Sequence, residues 1–154
     1  MKIIFLDIDG VLNSQASAML QAIDEGHGSV LMQPHFIHVA TLWAVLRVAD
    51  ASIVVSSVWR YGKTVRQLNC SIFDFLSPDY VIGVTPRLNA SRGTEIKAWL
   101  KGHPEVDGFV ILDDEADMDD LLPWLVKTDT QEGLLPTHVP KILATLNRPW
   151  RGNE

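Results

Sequence analysis

Residues 1–13, Met-Lys-Ile-Ile-Phe-Leu-Asp-Ile-Asp-Gly-Val-Leu-Asn, form a short apolar run that ends in two aspartates and a glycine. Lys2 to Leu6 is apolar on both faces, which is typical of a central strand of a parallel sheet. In extended chain Asp7 and Asp9 project to the same side, and Gly10 lets the backbone turn sharply. We predict a buried strand that ends at a ligand site, as open α/β sheets do. The alternative is two solvated aspartates at a turn.

The rest of the chain alternates strand and helix patterns, which predicts an α/β fold with a parallel sheet. Its 154 residues suit one domain, residues 1–154. Further strands are predicted at 52–56, 80–84, 108–112 and 124–127. Helices are predicted at 16–23, 35–49, 63–69, 94–101, 118–122 and 139–146.

Composition narrows the class of protein. The hydrophobic fraction of 47% and the charged fraction of 21% are those of a soluble globular protein. The net charge of -6 excludes a global attraction to nucleic acid or membranes, so any contact with a polyanion would be local. Met1 leads directly into the strand and the apolar runs are short, so we expect a cytoplasmic protein without a membrane partner.

Cysteine and histidine usage excludes two kinds of site. Cys70 is the only cysteine, which excludes an internal disulfide and a cysteine-built zinc site, and we predict that it is a buried small hydrophobe. The five histidines, including His27 and His103, show no ligand spacing, and we expect them on the surface or in loops.

The second predicted strand also ends in residues suited to phosphate. Ser56 and Ser57 follow it, and a hydroxyl there can donate a hydrogen bond to a phosphoryl oxygen without adding charge. We prefer Ser56, because it directly ends the apolar run; the alternative is that both serines cap the next turn. Arg60 could bind two phosphate oxygens, or it could begin a solvated basic face with Lys63 and Arg66.

The strand at 108–112 runs into a second group of acids, Asp113 and Asp114. If this strand lies beside the first, Asp113 and Asp114 lie close to Asp7. Such crowding of like charges raises carboxylate pKa values unless a cation is present. Mg²⁺ is the ion best suited to a site that also holds phosphate and water. The alternative is a solvated acidic loop before a helix.

Four segments of the chain resemble, in order, the four motifs of the haloacid dehalogenase-like (HAD) superfamily of phosphohydrolases. The segment 7–12, Asp-Ile-Asp-Gly-Val-Leu, resembles motif I, and the serines after the second strand resemble motif II. Arg92, in Arg-Gly-Thr-Glu-Ile, resembles the basic residue of motif III, with Lys97 as a competitor. The doublet Asp113-Asp114 resembles motif IV. Ser-Ser-x-Trp-Arg at 56–60 is similar to the Ser-Ser-Trp-Arg of the Swiss army knife RNA repair type, with Val58 as an additional residue.

The resemblance implies a three-layer Rossmann-like fold and a Mg²⁺-dependent phosphatase. Asp7 would form an aspartyl phosphate, and Asp9 would act as general acid and base. The ion would be held by Asp7, the backbone carbonyl of Asp9, and Asp113 or Asp114. The remaining phosphate oxygens would be bound by side chains from the set Ser56, Ser57, Arg60, Arg92 and Lys97.

The expected substrate follows from what is missing around this site. Family members differ in cap insertions, and here residues 14–33 leave room for only a minimal cap or loop, so we expect an open site. Together with Trp59 as a stacking surface and the basic residues Arg60, Lys63 and Arg66, openness favours a nucleic-acid 3′-phosphate end. The alternatives are a nucleotide or sugar phosphatase and a catalytically silent binding domain. The tail residues Trp150 and Arg151 could contact a partner.

Overall fold

The computed structural model describes residues 1–25, 33–73 and 79–152. Within them five parallel strands form one sheet in the order β3-β2-β1-β4-β5. The strands are β1 (Lys2–Leu6), β2 (Ala51–Val55), β3 (Val81–Val84), β4 (Gly108–Asp113) and β5 (Leu125–Lys127). The predicted α/β fold is thus confirmed, with the first strand of the chain at the centre of the sheet.

Helices cover both faces of this sheet. They are α1 (Gln15–Glu25), α2 (Phe36–Ala49), α3 (Val65–Phe73), α4 (Arg92–Lys101) and α5 (Val139–Leu146). Side chains of α2, α3 and α5 pack with one face of the sheet, and those of α4 pack with the other. Alternation along β1 shows this directly, because Ile4 belongs to the first core and Phe5 to the second. The result is the three-layer Rossmann-like arrangement that the family resemblance implied.

Some boundaries differ from the predicted ones for local reasons. Helix α4 begins at Arg92 instead of residue 94, because the Ser91 hydroxyl accepts a hydrogen bond from the Thr94 N–H and caps the helix. Strand β5 is shorter than predicted, since Trp124 closes a 3₁₀ helix that contains Pro123. The front of the predicted cap segment 14–33 is helix α1, and residues 26–32, including His27, lie outside the described residues.

The expectation that the histidines lie on the surface or in loops is wrong for His38. This side chain of α2 is only 3% exposed. Its Nδ1 lies 2.8 Å from the Leu134 carbonyl oxygen, and its Nε2 lies 3.2 Å from the Ser14 hydroxyl. His38 therefore joins the segment that follows β1 to the segment that follows β5.

The expectation for Cys70 is also corrected. Cys70 is half-buried instead of buried. Trp150 is half-buried and packs edge-on against Phe109 and Trp124, so it extends the second core, while Arg151 is exposed. Among residues 1–25, 33–73 and 79–152, no helix combines the length and the apolar character needed to cross a membrane.

Candidate active site

Three strands bring their carboxyl ends together at the centre of the sheet. Leu6 of β1 pairs with Val55 of β2 and with Leu112 of β4. Beyond these pairs the ladder continues, because the Asp7 N–H donates to the Leu112 carbonyl at 2.9 Å. The parallel register therefore places Asp7, at the end of β1, level with the ends of both neighbouring strands.

Three carboxylates converge at this point. Asp7, Asp113 and Asp114 each offer an oxygen atom, and these atoms lie within 4.8 Å of one another. Burial and then the charge of Asp7 raise the pKa of Asp113 from 3.8 to about 7. Burial also raises the pKa of Asp7, against the lowering effects of Arg92 and Ser57. These carboxylates thus repel one another in a poorly solvated position.

A glycine allows the acids to approach this closely. Gly10 has a φ of +78°, and a Cβ atom built on it would lie 2.3 Å from Asp114 Oδ2. Any side chain at residue 10 would therefore displace the Asp114 carboxylate and strain the backbone. The Thr130 hydroxyl fixes the same Asp114 oxygen by donating to it at 2.8 Å.

The cluster fits a hard divalent cation. Its donor set consists of carboxylate oxygens, the ligands that Mg²⁺ prefers in proteins. Asp113 Oδ2 is buried and has no hydrogen-bond partner among the described residues, although Arg92 lies 3.5 Å away. A buried carboxylate oxygen without a hydrogen-bond partner is costly. The residues Asp7, Asp113 and Asp114 therefore could hold a metal ion, whereas the Asp9 side chain lies outside this group.

Arg92 is the cation that faces the cluster. Its Nη1 lies 3.3 Å from Asp7 Oδ1 and donates to the Ser56 carbonyl oxygen at 2.5 Å. Lys97, the other candidate for this role, lies one turn further along α4 and pairs at 2.6 Å with Asp120 on the surface. The structure brings Arg92 to the site and does not bring Lys97 there.

The second aspartate of the first motif is held by two donors. Asn13 Nδ2 donates to Asp9 Oδ1 at 2.8 Å, and the Trp59 indole N–H donates to Asp9 Oδ2 at 3.0 Å. Both oxygens of Asp9 are thus oriented by neutral groups. Trp59, expected as a stacking surface, has a polar contact with a site carboxylate.

The two serines differ from the preference for Ser56. Both are fully buried. The Ser57 hydroxyl caps the next turn by accepting from the Trp59 N–H at 3.3 Å, and its interaction with Asp7 lowers the pKa of that carboxyl. The Ser56 hydroxyl has no hydrogen-bond partner within the described ranges, and the Ser56 carbonyl oxygen accepts from Arg92.

Arg60 is not available to phosphate as the sequence suggested. The side chain is buried, and its Nη2 pairs with Glu95 Oε2 at 2.6 Å. Its Nε donates to the Thr85 carbonyl at 3.0 Å, and its Nη1 donates to the carbonyls of Ser56 and Ser57. With these donors engaged, Arg60 links the ends of β2 and β3 to α4 instead of lining the site.

Comparison with known families agrees with this geometry. Residues 3–139 match the family described as the HAD domain in Swiss Army Knife RNA repair proteins. The chain belongs to this family. Membership of a HAD family indicates a phosphatase-type hydrolase with a phosphorylated substrate, and such enzymes generally use Mg²⁺. No curated protein and no solved structure matched the chain.

Sequence reasoning missed two residues that support the site of this HAD domain. Asn13 accepts from the Gly10 N–H at 3.0 Å while it holds Asp9. The Thr128 hydroxyl donates to the Gly10 carbonyl at 2.7 Å. A usable signal existed for both, since each polar residue follows closely after an apolar segment that ends at the same edge of the sheet.

Proposed function

We propose that this HAD domain is a Mg²⁺-dependent phosphomonoester hydrolase that removes terminal 3′-phosphates from nucleic acid. The observation that carries the proposal is the convergence of Asp7, Asp113, Asp114 and Arg92 at the end of the central strand. A nucleophile, a set of metal ligands and a cation for phosphate oxygens are thereby close together. These are the components that phosphoryl transfer requires.

Asp7 is the proposed nucleophile. A carboxylate oxygen of Asp7 attacks phosphorus and forms an aspartyl phosphate, while the bond from phosphorus to the leaving oxygen breaks. Water then attacks phosphorus, and the bond to Asp7 breaks, which releases inorganic phosphate. Because burial raises the pKa of Asp7, the neighbouring Arg92 and Ser57 help to keep this carboxylate ionised.

Asp9 is the proposed general acid and base. It gives a proton to the leaving oxygen in the first step and takes one from the attacking water in the second. The hydrogen bonds from Trp59 and Asn13 fix the direction of its carboxylate, which this double role requires.

A metal ion held by Asp7, Asp113 and Asp114 would neutralise charge on the transferring phosphoryl group. Arg92 and Ser57 are the proposed protein ligands of the remaining phosphate oxygens, since both contact Asp7. Arg60 and Lys97 are left out of this role because their charged groups are engaged elsewhere.

The nucleic-acid part of the proposal is supported by the family description, which refers to RNA repair proteins. The exposed basic residues Lys63 and Arg66, close in sequence to Trp59, also agree with a polyanionic substrate. A hydrolase of nucleotides or sugar phosphates would use the same catalytic residues.

A phosphate-release screen tests the proposal. Purified protein is incubated with Mg²⁺ or with EDTA and offered sugar phosphates, nucleoside monophosphates, and oligonucleotides bearing a 3′ or a 5′ phosphate. We expect Mg²⁺-dependent release with the highest kcat/KM on the 3′-phosphorylated oligonucleotide. Equal kcat/KM on free nucleotides would refute the nucleic-acid substrate, and turnover in EDTA would refute the role of the metal.

A further inference from the structure

The carboxyl edge of the sheet carries opposite charges on its two sides. On the side of β2 and β3, residues 51–73 and 80–94 contain basic residues and no acidic one. Asp79 lies two residues before Val81, the first residue of β3, and so lies at the opposite edge. On the other side, acidic residues end β4 and follow both β4 and β5, and Lys127 ends β5. The acids are Asp113, Asp114, Glu115, Asp117, Asp119, Asp120, Asp129 and Glu132.

The exposed cations on the basic side lie against aromatic rings, and one of these rings contacts a catalytic carboxylate. Lys63 Nζ lies 4.3 Å from the centre of the Trp59 ring, and the same indole donates to Asp9. Arg87 lies 4.4 Å from the centre of the Tyr61 ring. We call Trp59, Tyr61, Lys63 and Arg87 the basic rim. Such cation–π contacts hold the charges of flexible side chains in place.

A buried side chain of α4 holds the loops that carry the basic rim in place. Glu95 Oε2 pairs with Arg60 at 2.6 Å, and Glu95 Oε1 accepts from the Leu88 N–H at 2.8 Å. One buried carboxylate of α4 thus fixes the segment after β2 and the segment after β3 together. Arg60 in turn lies against the Tyr61 ring at 4.7 Å. The rim is therefore a preformed surface and needs little ordering when a ligand binds.

The position of Asp9 indicates on which side of the site the rest of the substrate extends. A general acid lies beside the leaving oxygen, so the rest of the substrate leaves the site on the side of Asp9. Asp9 is bonded to Trp59, which is part of the basic rim. A leaving group with further phosphates would meet Lys63 and Arg87 on this side and the acidic residues on the other.

We propose that the basic rim is the binding track for the strand attached to the scissile phosphate, and that the ligand is nucleic acid. This inference rests on the proposed function and specifies where its substrate lies. Lys63 and Arg87 bind the backbone phosphates next to the terminal one. The rings of Trp59 and Tyr61 hold the cations that bind these phosphates. A free nucleotide lacks the additional phosphates and gains nothing from the rim.

The test compares matched charge removals on the two sides of the site. The double variant Lys63→Gln/Arg87→Gln removes the cations of the rim, and Lys127→Gln removes a cation from the acidic side. With a 3′-phosphorylated single-stranded RNA oligonucleotide, we expect the double variant to lower kcat/KM roughly tenfold at low salt. Its activity on a nucleoside 3′-monophosphate should be unchanged, and Lys127→Gln should not lower either activity.

Direct binding separates this inference from the proposed function. In the Asp7→Asn background, binding of the same labelled oligonucleotide is measured by fluorescence anisotropy over a range of salt concentrations. We expect the slope of log K against log salt to flatten by about 0.7 for each rim cation removed, and not for Lys127→Gln. Equal affinities and slopes in all variants would overturn the rim. If the wild type released no phosphate from any substrate, the proposed function would fail and the binding data would still decide the rim.

Discussion

Two arginines donate to the same carbonyl oxygen, that of Ser56, but they lie in different environments. Arg60 is buried and its guanidinium is surrounded by fixed acceptors, including its partner Glu95. Arg92 is more exposed, and the carboxylates in its reach are Asp7 and Asp113. One arginine completes a closed network, and the other faces groups whose charge is not balanced.

The comparison shows how a structural charge differs from a functional one in this fold. Around Arg60, donors and acceptors match, so a ligand would have to break existing bonds to enter. Around Arg92, Asp113 Oδ2 has no hydrogen-bond partner within the described residues, and burial raises the pKa of Asp113 to about 7. An unbalanced, buried group at the end of a central strand indicates a place where a ligand or an ion binds.

The largest effect on activity is expected from a substitution among the carboxylates that Arg92 faces. Replacing Asp7 with Asn should lower phosphate release by roughly four or more orders of magnitude, as loss of a nucleophile does in other enzymes. The melting temperature without metal should not fall, because the change removes a repelling charge beside Asp113. Glu105→Gln, an exposed acid remote from the site, is the control and should keep full activity. Substantial turnover by Asp7→Asn would disprove its role as nucleophile.

A substitution in the Arg60 network should lower the stability of the protein. Glu95→Gln leaves the buried Arg60 without its counter-charge, and breaking such a pair typically costs about 3–5 kcal/mol. We expect that loss in the free energy of unfolding, measured by urea denaturation. Lys97→Gln removes a partner from the exposed pair with Asp120 and should change stability very little. If Glu95→Gln were as stable as the wild type, the Arg60 network would not be structural.

Arg92→Gln should show the opposite pattern to Glu95→Gln. Loss of a donor that stabilises transition-state charge lowers kcat by about 10²–10³, whereas stability should change less than in Glu95→Gln. Measuring kcat and the free energy of unfolding for both variants separates the structural network of Arg60 from the role proposed for Arg92. Similar kinetic losses in correctly folded Arg60→Gln and Arg92→Gln would contradict the distinction between the two arginines.

A smaller effect is expected for Trp59, which positions Asp9 without touching the phosphate. Trp59→Phe removes the donor to a charged group and should lower kcat by about ten- to a hundredfold with little change in KM. The loss should be small with p-nitrophenyl phosphate, whose leaving group needs little protonation. Trp43→Phe, on the exposed face of α2, is the matched control. An equal loss on both substrates would assign Trp59 a purely structural role.

The sequence was sufficient to predict the strands and the convergence of Asp7 with Asp113 and Asp114. Apolar runs that end in acid determine both the order of layers and the edge at which the acids meet. It could not separate Arg60 from Arg92, because the partner Glu95 lies 35 residues beyond Arg60 in the chain.

The direction of side chains was also beyond the sequence. Which of Ser56 and Ser57 contacts Asp7 depends on the backbone conformation after β2, where regular alternation of side chains gives way to a 3₁₀ helix from Val58 to Arg60. The burial of His38 depended on the approach of Gly133, where an added Cβ would lie 2.9 Å from the His38 ring. Such contacts are set by how distant segments pack, and local patterns do not encode them.

The most direct test of the shared cation is a metal-binding titration that needs no turnover. Mg²⁺ is added to the wild type and to Asp113→Asn and Asp114→Asn, and binding is followed by calorimetry between pH 5.5 and 8.5. Since Asp113 must be deprotonated to bind the ion and its pKa is about 7, affinity should be greatest at the upper end of this pH range and should fall as the pH drops through 7. We expect one site in the wild type, with affinity lost in Asp113→Asn. Unchanged affinity in both variants would contradict a cation shared between the ends of β1 and β4.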